Sequence, residues 1–320
     1  MDNNANNNEN SNSSKQHETL AICTRMHLGK QAVVPSPTEL QNKITTLFTT
    51  LLAASSAYGG YKNIKAAVAV EDKLDFPLAV QSAVHSVSEV YRNSVNTNAK
   101  QQLDVQIIKV SPWNSFLPAL NALLTWSCSS SSSSSKSIFC TASHVLFISA
   151  ETSVTAEGIA CLKSHMDLGT TLCVGAALPG HDFTCARNSS SKRVILTGRT
   201  TPWNTLALWN AAKLALTGFP MVGEGVHYDN CNSGADDGRS SKIEGGVEEV
   251  STIALLQTLL PSGTAEAKLV MVPGVDWEQR FEDDERRKWH AHKMQSKLSR
   301  PARHLELMGL QNKGTVLHYS

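Results

Sequence analysis

Between residues 19 and 196 the chain alternates short apolar runs with longer segments whose apolar residues recur every three or four positions. The short runs, at 19–25, 64–70, 103–110, 145–148, 172–178 and 194–196, predict strands. The run 145–148 is apolar at every position, the mark of a strand covered on both faces in a parallel sheet. Helical spacing falls between them, at 38–57, 78–91, 116–126 and 155–168. Leu40, Ile44, Leu47, Leu51 and Ala54 mark one face of the first, and Val80, Val84, Val87 and Tyr91 one face of the second. Strand-helix units in series predict a doubly wound α/β sheet whose ligands sit beyond the carboxyl ends of its strands. The second half predicts helices over 203–217 and 247–260, a strand over 268–273 and a charged helix over 283–310, broken at Pro301.

Three polar stretches interrupt this pattern: an Asn-rich one at 1–18, a serine run at 127–137 and a Gly/Ser/Asn/Asp stretch at 229–246. They have too little apolar surface to offset chain entropy and are expected to be unstructured. The expected organisation is therefore a tail (1–18), one α/β domain (19–280) with loop insertions at 129–135 and 229–246, and a charged helical C-terminal extension (281–320).

Charge narrows the partners. With 29 Lys and Arg against 28 Asp and Glu, the chain has no excess of cations for a phosphate backbone, so nucleic acid is not an expected partner. The charge-free runs 44–61 and 110–135 are broken by polar residues, and no membrane span is expected. The seven cysteines never take metal or redox spacing and read as reduced, mostly buried thiols. With no apolar signal region after Met1, the expected location is cytoplasmic.

Several residues could carry chemistry. The apolar strand at 145–148 ends in Ser149, Ala150 and Glu151, which puts Glu151 at the ligand edge as a candidate metal or phosphate-side ligand; Ser149 and Glu151 also suit a plain loop cap. In Thr201-Pro202-Trp203-Asn204-Thr205 the first two residues suit helix initiation. Trp203 beside Asn204 suits a sugar ring if exposed, and a core position if buried. Pro112-Trp113-Asn114 repeats the theme after the third strand. Glu248 and Glu249 follow Gly245-Gly246 at a helix start, where acids serve the helix dipole or a proton transfer. Gly223-Glu224-Gly225 reads as a flexible acceptor loop, and His290 and His292 as surface residues.

Pro118-Ala119-Leu120-Asn121, followed after the serine run by the strand ending at Glu151, resembles nucleotide-sugar transferases of the GT-A fold, with their Ala-x-Asn helix and their strand ending in Asp-x-Asp. Leu208 to Phe219 and Val247 to Leu256 are similar to the acceptor-side helix and the Glu-Asp helix of that superfamily. The resemblance implies a single GT-A-like, Rossmann-like α/β domain with a mostly parallel central sheet flanked by helices. It implies that Asp72, or else Glu71, contacts the nucleotide base, and that Asn121, Ser149 and Glu151 belong to the nucleotide-sugar site. Glu151, the one acid of the Asp-x-Asp equivalent, would hold Mn²⁺ or Mg²⁺. Glu249, with Glu248 beside it, would take the acceptor's proton, and Trp203 and Asn204 would meet the acceptor. The implied reaction moves a sugar from a nucleotide-diphosphate sugar to an unknown hydroxyl acceptor. A non-catalytic nucleotide-sugar-binding protein and a sugar nucleotidyltransferase are the alternatives; the latter wants a Gly-rich, basic loop after the first strand to hold a triphosphate, of which Arg25-Met26-His27-Leu28-Gly29-Lys30 is a weak version.

Overall fold

The computed structural model describes residues 18–28, 32–60, 63–94, 105–114, 116–129, 142–184, 191–228, 241–277 and 284–320. In chain order the first half is β1 (Leu20–Met26), α1 (Pro37–Ala57), β2 (Ile64–Glu71), α2 (Phe76–Ser94), β3 (Val105–Val110), α3 (Leu117–Cys128), β4 (His144–Ile148), β5 (Thr152–Val154), α4 (Ala156–Ser164) and β6 (Thr171–Ala176). The second is β7 (Ser191–Ile195), β8 (Leu206–Asn210), α5 (Ala211–Leu214), β9 (Gly225–Tyr228), β10 (Ser241–Glu244), α6 (Glu248–Leu259), β11 (Glu266–Val270), β12 (Val275–Trp277), α7 (Asp284–Leu307) and β13 (Thr315–Tyr319).

Helix α1 starts one residue before the expected position 38, with Ser36 rather than a threonine as its cap. Pro37 supplies the fixed φ of the first turn, and the Ser36 hydroxyl accepts from the Glu39 N–H. The predicted face, Leu40, Ile44, Leu47, Leu51 and Ala54, is the buried one, joined by Phe48. The strands assemble into one nine-stranded sheet in the order β3-β2-β1-β4-β8-β6-β11-β13-β7. Neighbours in the first four are parallel, as are β6, β11 and β13, while β8 and β7 run antiparallel to their neighbours. Helices flank the sheet: α1 packs on α2 and α4, and α3, α5, α6 and α7 form a second connected group. At the centre, Phe219 meets Phe147 of β4 and Trp209 of β8 edge-on, at 5.4 and 5.5 Å between ring centroids.

Four expectations change. The helix expected over 203–217 is β8 followed by the single turn α5. Every residue from Leu206 to Asn210 is buried, and a strand covered on both faces loses the alternation that separates it from a helix. The low-complexity stretch 229–246 includes β10, which pairs antiparallel with β9. Pro301 lies inside α7 and does not end it. The Lys297 carbonyl, four residues earlier, cannot receive an N–H from proline, and Gly198 packs so closely there that a Cβ would stand 1.8 Å from its oxygen. Finally, 281–320 is not wholly a helical extension: β13 enters the main sheet between β11 and β7. Among the described cysteines, Cys23 and Cys173 are buried and Cys128 and Cys161 half-buried, all free thiols. The tail at 1–17 and the serine run at 130–137 lie outside the described residues.

One feature of this topology assembles the site. The carboxyl ends of β1, β2 and β4 face one edge, and because β8 runs against β4, its leading residues Asn204 and Thr205 reach that same edge.

Candidate functional site

At that edge lies a cleft of about 680 Å³. Its floor and walls come from Cys23 to Leu28 at and just past the end of β1, Phe147 to Glu151 at and just past the end of β4, and Asn204 and Thr205 before β8. Glu39, Leu40 and Lys43 of α1 and Trp277 of β12 complete it.

Beneath Asn204 sits a buried polar network. Glu248 and Glu249 are each 4% exposed, in the first turn of α6. The Asn204 N–H donates to Glu249 Oε1 at 2.6 Å, its Nδ2 donates to Glu248 Oε1 at 3.0 Å, and its Oδ1 accepts from Trp209 Nε1 at 2.9 Å. One residue at the cleft wall thus ties both acids to the sheet. Burial, and then the neighbouring Glu248 carboxylate, push the Glu249 carboxyl well above the usual carboxylate range, with the Asn204 N–H opposing. The turn leading into α6 is fixed from α7: Arg300 Nη1 donates to the Gly245 carbonyl at 2.6 Å, and His304 Nε2 bonds the Glu244 carbonyl at 3.0 Å.

Arg25 stands between this network and the cleft. Its Nη1 is 3.9 Å from Glu248 Oε1, beyond hydrogen-bond distance, and is buried without an acceptor among the described residues. Its guanidinium lies over the Phe116 ring, 5.0 Å from the centroid.

The other predicted residues are distributed unevenly. Ser149 and Glu151 line the cleft, and the Ser149 hydroxyl donates to Glu151 Oε2 at 2.5 Å. Glu71 is tied to the turn after β1, accepting from the Leu28 N–H at 3.0 Å. Asp72 is exposed at the end of β2, its N–H bonded to the Val110 carbonyl. The Asn121 amide is committed to both backbone groups of Phe219, at 2.8 and 3.0 Å, and is not among the residues lining the cleft. Trp203 is 3% exposed, so it is no open platform for a sugar. It stacks on His181 at 3.6 Å and donates to the Gly198 carbonyl at 2.8 Å. Trp113 is buried as well, 6.0 Å from the His27 ring. Gly223-Glu224-Gly225 is not a loose loop. Met221–Glu224 forms a 3-10 turn whose Glu224 carboxylate accepts from the Phe116 and Leu117 N–H groups and so caps α3. The side chains of His290 and His292 lie outside the described residues.

Arg25 was visible in the sequence only as the start of the weak basic loop 25–30, and Trp277 was missed. Trp277 sits on a three-residue strand too short to show a period.

The donor set also tests the expected metal. Among the described residues no three His, Cys, Asp or Glu side chains gather as a metal centre, and Glu151 offers one exposed carboxylate already holding a hydroxyl. Glu151, the one acid of the strand end, would hold a Mn²⁺ or Mg²⁺ only together with the phosphate oxygens of a bound ligand.

No protein-family model and no curated protein sequence matches the chain. In three dimensions it is similar to the mannosyltransferase PcManGT from Pyrobaculum calidifontis, solved in complex with GDP-Man and Mn²⁺. The identity is 12% and the TM-score 0.54, over 94% of this chain and 66% of that one. A TarS fragment from S. aureus, residues 1–349 in complex with UDP-GlcNAc, overlaps 63% of this chain and 48% of its own, at 13% identity and a TM-score of 0.34. The chain thus spans just under two thirds of the first structure and about half of the second. The first likeness shows the fold, a GT-A-like α/β sheet flanked by helices. Among the described residues no helix is long and apolar enough to cross a membrane.

Proposed function

We propose that the chain transfers a sugar from a nucleotide-diphosphate sugar to a hydroxyl acceptor. The observation that carries this reading is the buried acid pair Glu248-Glu249, tied through Asn204 to a cleft at the ligand edge of a fold shared with a solved nucleotide-sugar transferase.

The chemistry asks little of the protein beyond position and one proton acceptor. An acceptor hydroxyl oxygen bonds to the anomeric carbon as the bond from that carbon to the diphosphate oxygen breaks, its electron pair leaving with the phosphate. The hydroxyl proton goes to Glu249, whose burial raises its proton affinity toward what a general base needs at neutral pH. Asn204, which lines the cleft, fixes one oxygen of that carboxylate directly behind the cleft wall. Asp72, exposed at the end of β2, is the acceptor we assign to the nucleotide base; Glu71, already holding the Leu28 N–H, instead shapes the turn after β1. This reading does not depend on Mn²⁺ or Mg²⁺; Glu151 would hold such an ion, with the ligand's phosphate oxygens, where it would offset charge on the leaving group.

The test is release of UDP or GDP from a panel of nucleotide sugars by the full chain, with Glu249→Gln beside the wild type. Release by the wild type and not by the variant supports transfer. The depth of the acid pair also favours a second reading, a nucleotide-sugar-binding protein without turnover. Wild-type binding with no release under any condition would select it.

A further inference from the structure

The cleft holds a cation whose hydrogen-bonding capacity the fold does not use. Arg25 lies near the end of β1, two residues beyond the Cys23–Phe147 pair, and lines the cleft with Ser149 and Glu151. Its guanidinium carbon lies over the Phe116 ring, 5.0 Å from the centroid, and its Nη1 is buried with no acceptor among the described residues, 3.9 Å from Glu248 Oε1. Lys43 lines the same cleft but is tied to Glu39 at 3.1 Å. A buried, unpaired guanidinium donor is costly unless something satisfies it, and the group that best matches its planar fork is a phosphate.

We infer that Arg25 is the diphosphate-binding residue of this cleft, neutralising the leaving group of the nucleotide sugar without a divalent ion. The inference rests on the transfer reading above and adds to it the means of charge neutralisation. Negative charge that builds on the departing phosphate oxygen is met by a fixed guanidinium, which needs no reorganisation because Phe116 already orients it. Glu248 behind it balances the cation's charge from 3.9 Å without taking up its donors.

Calorimetric titration of the full chain with GDP and UDP, in EDTA and then in Mn²⁺, tests this, with guanosine and uridine as probes lacking phosphate. The expected result is that one nucleoside diphosphate binds in EDTA, more tightly than its nucleoside, and is displaced by pyrophosphate. Arg25→Gln should weaken it roughly 10- to 100-fold, and Arg25→Lys by less, since lysine keeps the charge but loses the fork. Pyrophosphate displacement on the wild type keeps the test alive should Arg25→Gln fail to fold. Binding that appears only with Mn²⁺, with an affinity Arg25→Gln leaves unchanged, would overturn the role of Arg25 while leaving sugar transfer standing. No binding of either nucleotide in either condition would overturn both.

Discussion

The two acidic corners of the cleft are built from the same functional group and behave as different materials. Glu151 stands exposed at the rim, with one hydroxyl from its neighbour Ser149. Glu248 and Glu249 are buried, and Asn204 reaches them from 44 and 45 residues away in sequence. The rim is local and replaceable, whereas the floor is a non-local network in which each group satisfies another. A carboxyl group taken out of water beside a second acid holds its proton more tightly. The lesson is that the same functional group is locally replaceable at an exposed rim and held by many partners where the core braces it.

The largest effect should come from breaking the floor at its chemistry. Glu249→Gln preserves size and one hydrogen-bond acceptor but cannot take a proton, so kcat should fall about 10²- to 10⁴-fold with nucleotide-sugar affinity nearly unchanged. Retained turnover would return the acid pair to a purely structural role. Next in size is Asn204→Ala. It leaves the backbone bond to Glu249 but strips partners from Glu248 and from the Trp209 indole, both buried. Denaturant unfolding should show a loss of about 2–4 kcal/mol. A loss under about 1 kcal/mol would mean the network relaxes as freely as the rim.

A pH series sharpens the contrast further. The folded chain holds the Glu249 proton more tightly than the unfolded chain, so stability from this group is full below the ordinary carboxylate value. It is lost progressively as pH rises, until the folded group ionises at about 8. Transfer should move the other way over the same range, since the base works deprotonated. Glu249→Gln should flatten the stability slope; an unchanged slope would assign it to other groups. The smallest effect is expected at the rim: Glu151→Ala should change stability by no more than about 0.5 kcal/mol, as for most exposed sites. A larger fall in melting temperature would show that the corner is braced like the floor.

The sequence showed the first half of the fold well. Leu40 to Ala54 and Val80 to Tyr91 expose their helical period because each helix has one wet face, and the strands between them are short and bounded. The second half was harder for a physical reason. Leu206 to Asn210 is buried on both sides, so nothing alternates, and the segment looks as helical as it does extended. In the site, Glu248 and Glu249 were legible from the glycines before them, and Glu151 from the abrupt end of an apolar strand. Arg25 was legible only as the start of a weak basic loop after the first strand; its setting comes from Phe116 and Glu248, both far away in the chain. Trp203 misled because an aromatic next to an amide looks the same in sequence whether it faces a ligand or, as here, His181.

The order of strands in the sheet also sets a timetable. β1, β2, β3 and β4 are neighbours built from the first 148 residues, whereas β8 must insert between β4 and β6, and β13 between β11 and β7. Pairings that close long loops are slow to form, so the four-stranded amino-terminal part of the sheet can condense while the rest is still searching for its partners. Pulsed hydrogen exchange during refolding should find amides of β1 and β2 protected ahead of those in β11 and β13. The cleft, whose floor needs β8 and α6 in place, is then among the last features to mature: the molecule becomes a stable scaffold before it becomes a binding protein.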